Sequence, residues 1–228
     1  MELQIDTSTR YASVGLSVEG ESRIEISWRS ERNHSVELTP AINRALEQAK
    51  SRIPDLTAVF VASGPGAFSA LRVGMSTAKA IASTRGIPLV TVGTLEIEVE
   101  PYRGLGMPIC AITTAGRNRL YVGRTDGNSD ELALQVSALE EFLNHTGPGV
   151  LYCGEAVSDV EEQLAASLGS NAVVLNSHPP TRRVSTIANM GYRKLQNGET
   201  VDPSTVEPIY LRSSQIASAA RRWGQTVS

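Results

Sequence analysis

A chain of 228 residues has room for one large domain or two small lobes, at roughly 100 to 200 residues per domain. Its 41% hydrophobic and 20% charged residues, with 19 Gly and 11 Pro, are those of an ordinary folded protein and exclude a disordered or fibrous one. A net charge of −3, from 21 Lys+Arg and 24 Asp+Glu, argues against the broad positive field that tight, autonomous nucleic-acid binding needs.

The start Met1-Glu2-Leu3-Gln4-Ile5-Asp6 lacks the basic stretch and apolar core of a secretory signal. No run of 18 apolar residues marks a transmembrane helix. Two cysteines, Cys110 and Cys153, are too few for a disulfide scaffold or a thiolate zinc site and point to a reducing compartment. A cytoplasmic protein with no membrane partner is expected.

In chain order, Leu3 and Ile5, then Ala12, Val14, Leu16 and Val18, then Ile24, Ile26 and Trp28 alternate with polar residues, which predicts a three-stranded antiparallel meander. A helix beginning near Asn33 follows, with Leu38, Ile42, Ala45, Leu46 and Ala49 on one side; Pro40 is expected to bend or restart it. Leu56 to Ala62 reads as a buried parallel strand that ends in the loop Ser63-Gly64-Pro65-Gly66. A helix over 68–85, stopped by Gly86 and Pro88, and a strand from Leu89 complete a strand, helix, strand unit.

The second half repeats this order. Strands are expected over 108–113, 119–124, 132–136, 150–153 and 172–175. Helix starts are expected at two capping boxes, Ser137 with Glu140 and Ser158 with Glu161. Ile5-Asp6-Thr7 through Val14-Gly15 is also similar to Ile112-Thr113-Thr114 through Val122-Gly123. Two stacked lobes follow, each a mixed sheet with helices packed on it, with a boundary near Tyr102 to Gly106.

Chemistry-bearing residues are few. Asp6-Thr7-Ser8-Thr9 falls where the first strand turns into the second, a place that can orient a metal-bound phosphate or can simply cap a turn. The equivalent second-lobe stretch, Thr113-Thr114-Ala115-Gly116, has no carboxylate, and one acidic loop alone cannot clamp a Mg-nucleotide. The Gly-rich loop lacks the Gly-Lys-Ser/Thr ending of a P-loop, and Lys79 lies too far along the helix to serve. His34, His145 and His178 are scattered, and no serine sits in a nucleophile elbow. In the helix over 68–85, Leu71, Met75, Ala78 and Ala82 share one face, while Val73, Ser76, Thr77, Ala80 and Thr84 form a small-sided back that lets another helix approach closely.

Ile5-Asp6-Thr7-Ser8-Thr9, the His34-Ser35 helix start, the stretch Gly64-Pro65-Gly66-Ala67-Phe68-Ser69-Ala70-Leu71-Arg72-Val73-Gly74, and Pro208-Ile209-Tyr210-Leu211-Arg212 together resemble the TsaB (YeaZ) family. The Gly-Pro-Gly stretch is the most specific, with Ala67, Ser69, Ala70 and Val73 as substitutions in the family pattern. The resemblance implies an α/β, two-lobed actin-like (ASKHA, ribonuclease H-like) fold, with one lobe over 1–103 and a smaller one over 104–228 whose end returns to the first. It implies a non-catalytic subunit that supports the catalyst TsaD in forming threonylcarbamoyladenosine at the adenosine next to the anticodon of tRNAs. TsaD would pair with first-lobe helices, TsaE would join at that junction, tRNA would be met only through the complex, and the same faces could form a homodimer. No catalytic residue, metal or cofactor is expected. The expected interface residues are His34, Leu38, Phe68, Leu71, Arg72, Val73, Ser76, Thr77, Ala80 and Thr84. Two other readings of the residues are a small-molecule kinase of the actin-like class and a peptidase.

Overall fold

The computed structural model describes residues 1–127, 131–168, 173–174 and 178–211. The alternating N-terminal pattern forms the expected meander, β1 (Glu2–Asp6), β2 (Tyr11–Val18) and β3 (Glu21–Arg29). Helix α1 (His34–Gln48) leads to β4 (Ala58–Ala62), α2 (Phe68–Arg85) and β5 (Leu89–Val92), and the short α3 (Thr94–Val99) follows. Strands β4 and β5 run parallel to β1, so the sheet order is β3-β2-β1-β4-β5.

The second sheet copies the first. A meander of β6 (Ile109–Thr114), β7 (Arg119–Thr125) and β8 (Ala133–Ala138) is followed by α4 (Leu139–Asn144), β9 (Leu151–Cys153), α5 (Val157–Leu168) and β10 (Val173–Val174). The order β10-β9-β6-β7-β8, with β9 parallel to β6, places β6 where β1 sits in the first sheet. Residues 172 and 175 of the expected last strand lie outside the described residues.

Helix α6 (Val184–Gln196) then returns to the first sheet. The compact units are therefore 1–97 with 182–209, and 98–181 with 210–211. This differs from a division at residue 103 because α6 carries an apolar stripe, Val184, Ile187, Ala188 and Met190, that buries against the first sheet and so belongs to the first unit.

That sheet is covered on both faces. Leu3, Ile5, Val14, Leu16, Val59 and Val61 pack under α1 and α2 through Leu38, Ile42, Leu46, Met75 and Ala78. Ala58, Phe60, Ala62, Val90 and Val92 pack on the opposite side with Ile187 and Met190 of α6. Strand β4, buried at every residue, is apolar throughout for that reason, whereas edge strand β3 alternates exposed and half-buried positions and carries its charges outward. In the second unit, Cys110, Ile112, Leu120, Val122, Phe142, Tyr152 and Leu164 form the core, with Phe142 and Tyr152 edge to face at 6.3 Å.

Three local expectations are corrected. Helix α1 runs through Pro40 as one element, so it does not restart there; the carbonyl that loses its partner belongs to Val36, a residue 68% exposed, while Leu38, Ile42 and Leu46 anchor the helix on either side. Ser137 does not cap α4, since it is still in the β8 ladder opposite Leu120. Ser158 lies inside α5, which begins one residue earlier because Ala156 and Val157 already bond back to Ile112 and Gly154.

Candidate functional site

The motif residues that are scattered in sequence meet at one end of the first sheet. At the end of β1, Asp6 turns its carboxylate back on its own loop: Oδ1 accepts the Ser8 amide at 2.8 Å and the Ser8 hydroxyl. Its Oδ2 accepts Arg182 Nε at 2.7 Å, with the two side chains 1% and 2% exposed. Arg182 Nη2 also donates to Thr9 Oγ1 at 2.7 Å and to the Tyr11 carbonyl at 3.3 Å. A buried carboxylate needs a counter-ion and hydrogen bonds to remain ionised. Here both come from within the unit.

The Gly-rich loop closes over the same residues. Ala67 N donates to the Ser8 carbonyl at 2.8 Å. Thr7 Oγ1 donates to the Ala70 carbonyl at 2.7 Å and accepts the Gly74 amide at 3.1 Å, inserting itself between ladder partners of α2. Any side chain at Gly66 would collide with the Ser8 backbone, and at Gly74 with the Thr7 hydroxyl. Gly64, at φ +105°, takes a backbone conformation that glycine alone adopts readily, and its carbonyl receives Thr94 N at 2.8 Å. The glycines therefore serve a close approach of two loops, the structural alternative to an anion site.

His34 and the 206–209 stretch complete the arrangement. His34 is buried at the first residue of α1, with Nε2 2.8 Å from the Thr9 carbonyl and Nδ1 3.3 Å from Ser30 Oγ. Lys79 donates to the Val206 carbonyl at 2.8 Å and pairs with Glu207 at 3.7 Å. Ile209 N bonds the Ser63 carbonyl at 2.7 Å, so this stretch is stitched to α2 and to the Gly-rich loop. Arg212 of the motif lies outside the described residues.

The expected interface residues divide into two groups. His34, Leu38 and Leu71 are buried in the first unit's own interior. Their side chains are corrected to core positions, since the sheet below them takes the apolar faces of α1 and α2. Phe68, Arg72, Ser76, Ala80 and Thr84 are exposed, and Val73 and Thr77 are half-buried beside them. These exposed positions recur every fourth residue and form one stripe along α2.

Arg72 stacks its guanidinium over the Phe68 ring at 5.4 Å. Thr77 Oγ1 donates to the Val73 carbonyl at 2.9 Å, so its hydroxyl is satisfied within the helix. Beside this stripe, an open groove of about 440 Å³ runs between α1 and α2, lined by Thr39, Ile42, Asn43, Ile53, Ser76, Thr77, Ala80 and Ile81. Elsewhere on α1, on the side that meets β3, the Glu37 carboxyl is held below its usual range by a hydrogen bond from Ser30 against the upward push of burial, with Trp28 and His34 adding to the lowering.

In the second unit, Ile112 pairs with Val122 as Ile5 pairs with Val14, which puts Thr113 at the counterpart of Asp6. Thr113 is buried and uncharged. Both thiols are buried; burial pushes Cys110 up to about 11 and Cys153 well above its ordinary value, so each is protonated near neutrality and a poor nucleophile. Among the described residues no group of three or more His, Cys, Asp or Glu could hold a metal, and no helix is long and apolar enough to cross a membrane. No local motif marks Arg182 as the partner of Asp6, 176 positions away. The spacing of Val184, Ile187, Ala188 and Gly191 was the available signal for α6.

Fold and site together define a two-lobed α/β protein of the actin-like class, each lobe a mixed sheet flanked by helices, with its first acidic loop neutralised from within. Residues 28–167 match the family model described as TsaD, tRNA N6-adenosine threonylcarbamoyltransferase. The tRNA threonylcarbamoyladenosine biosynthesis protein TsaB of Bacillus subtilis (strain 168) is 27% identical over 97% of this chain and 96% of its own length. A tRNA N6-adenosine threonylcarbamoyltransferase of Shouchella clausii is 48% identical over 59% of this chain, which is 37% of its own length. YeaZ from Pseudomonas aeruginosa shares the fold with a TM-score of 0.74 at 23% identity, over 92% of this chain and 99% of that one. The chain belongs to the TsaB (YeaZ) family.

Proposed function

We propose that this chain is a non-catalytic subunit in the formation of threonylcarbamoyladenosine on tRNA. In this role it binds a TsaD-type threonylcarbamoyltransferase through the outer sides of α1 and α2. The observation that carries the reading is the stripe Phe68, Arg72, Ser76, Ala80 and Thr84 beside the α1/α2 groove. Short side chains at its centre let a partner helix come within about 8–10 Å, axis to axis, and the Arg72 guanidinium already rests over the Phe68 ring. A TsaE-type ATPase joins the assembly, tRNA is reached through it, and a homodimer would use the same face.

A kinase of the actin-like class is not favoured. Such chemistry needs opposed acidic loops, but Asp6 is bound by Ser8 and Arg182 and its counterpart is Thr113. A peptidase would require an activated nucleophile, and both thiols have raised pKa values. The deciding experiment is reconstitution: the purified chain is mixed with the transferase and the ATPase on unmodified tRNA. Modification should require this chain, and the chain alone should be inert. Full modification in its absence, or turnover of Mg-ATP by the chain alone, rejects the reading.

A further inference from the structure

The loop Asp6–Thr9 is short, yet it touches the start of three helices. The Thr9 carbonyl meets His34 at the first residue of α1. The Ser8 carbonyl and Thr7 hydroxyl hold Ala67, Ala70 and Gly74 along the first turns of α2. Arg182, two residues before α6, joins Asp6, Thr9 and Tyr11 with one guanidinium. Where a nucleotide-binding lobe would put a metal-bound phosphate against this loop, a side chain 176 positions away supplies the positive charge.

Resting on the partner-binding reading above, we infer that Arg182 is a positioning residue for that face: it fixes the acidic loop, and the loop fixes where α1 and α2 begin relative to one another. The reason is geometric. A guanidinium presents several donors in a rigid plane and can hold a carboxylate, a hydroxyl and a carbonyl together. A lysine ammonium keeps the charge as a single point on a flexible stem, so the loop would stay neutralised but would no longer be held at three places.

The test is Arg182→Lys in the full chain, read in two ways. The first is native-state hydrogen exchange at the Ala67 and Gly74 amides; the second is affinity for the transferase at a temperature where the variant is folded by circular dichroism. Exchange at both amides should quicken, and affinity should fall about fivefold or more. Asp6→Asn with Arg182→Met leaves no isolated interior charge and should behave alike. Ala80→Arg, on the face itself, is measured in parallel. If Ala80→Arg binds as the wild type does, the face is not the partner site and the functional reading fails, while exchange still tests the loop. If Ala80→Arg weakens binding but folded Arg182→Lys retains wild-type affinity or unchanged exchange, the inference about Arg182 is overturned alone. If both Arg182 variants unfold, the ion pair is a requirement of the fold and the inference is likewise rejected.

Discussion

Replacing Gly74 by alanine sets two effects of known size against each other. In an exposed helix the change would stabilise by about 1 kcal/mol, because alanine is the better helix former. Here the new methyl would lie closer than 3.0 Å to Thr7 Oγ1 and 3.3 Å from Ile5 Cγ2. Thr7 would have to withdraw its hydroxyl from the Gly74 amide at 3.1 Å and the Ala70 carbonyl at 2.7 Å. A buried polar group left unsatisfied costs about 1–3 kcal/mol, and overpacking adds about 1–3 kcal/mol. After the helix-forming gain is subtracted, Gly74→Ala should destabilise by about 1–5 kcal/mol. Urea unfolding followed by circular dichroism measures it. Combining it with Thr7→Ala removes the colliding oxygen and leaves contacts of 3.3 Å to Ile5 Cγ2 and 3.5 Å to the Cβ of residue 7, so the double variant should be at least about 1 kcal/mol more stable than additivity requires. A Gly74→Ala protein as stable as the parent would show that the two loops do not approach as described, and the account of the Gly-Pro-Gly motif would fall with it.

Three further outcomes follow from other parts of the molecule. Ala80→Arg should abolish capture by the transferase in a pull-down while leaving urea stability within about 0.5 kcal/mol; undiminished capture places the contact elsewhere. Gly191→Ala would press a methyl against the Phe60 ring and should cost about 1–3 kcal/mol by overpacking α6 on the sheet, with Phe60→Leu in the same chain recovering part of the loss; a neutral single variant would argue against that packing. The Cys110 thiol, pushed up to about 11 from an ordinary 9.0 by burial, keeps its proton longer in the folded state than in the unfolded one. The stability it contributes is therefore complete below pH 9 and declines as pH rises towards 11. Cys110→Ala should flatten that decline in urea titrations across the same interval, and an unchanged slope would assign it to other groups.

Local pattern carried a large share of the architecture. The period-two runs of β1 to β3 and the limits of α2 were legible because each is set by residues within a few positions of one another, with Gly86 in a left-handed conformation at φ 63° ending the helix. The two capping boxes misled because such a pattern specifies a helix start only where the backbone has already left the strand, and at Ser137 the β8 pairing persists. His34 shows the same limit at the site: the sequence marks it as the start of an interacting helix, but packing turns its ring inward onto Thr9 and Ser30, whereas Leu38 and Leu71 lie on the apolar helix faces that periodicity already singles out.

What the sequence by itself determined is the inventory and its order: two copies of a strand meander, each followed by parallel strands and helices, a glycine-rich turn between β4 and α2, and a second lobe lacking the acidic loop. What only the tertiary structure decided is what those parts do to one another. The return of α6 to the first sheet and the arrival of Arg182 at Asp6 depend on contacts across most of the chain. Periodicity reports how a segment presents its own faces; the partner of a buried charge is chosen by the enclosure that forms around it.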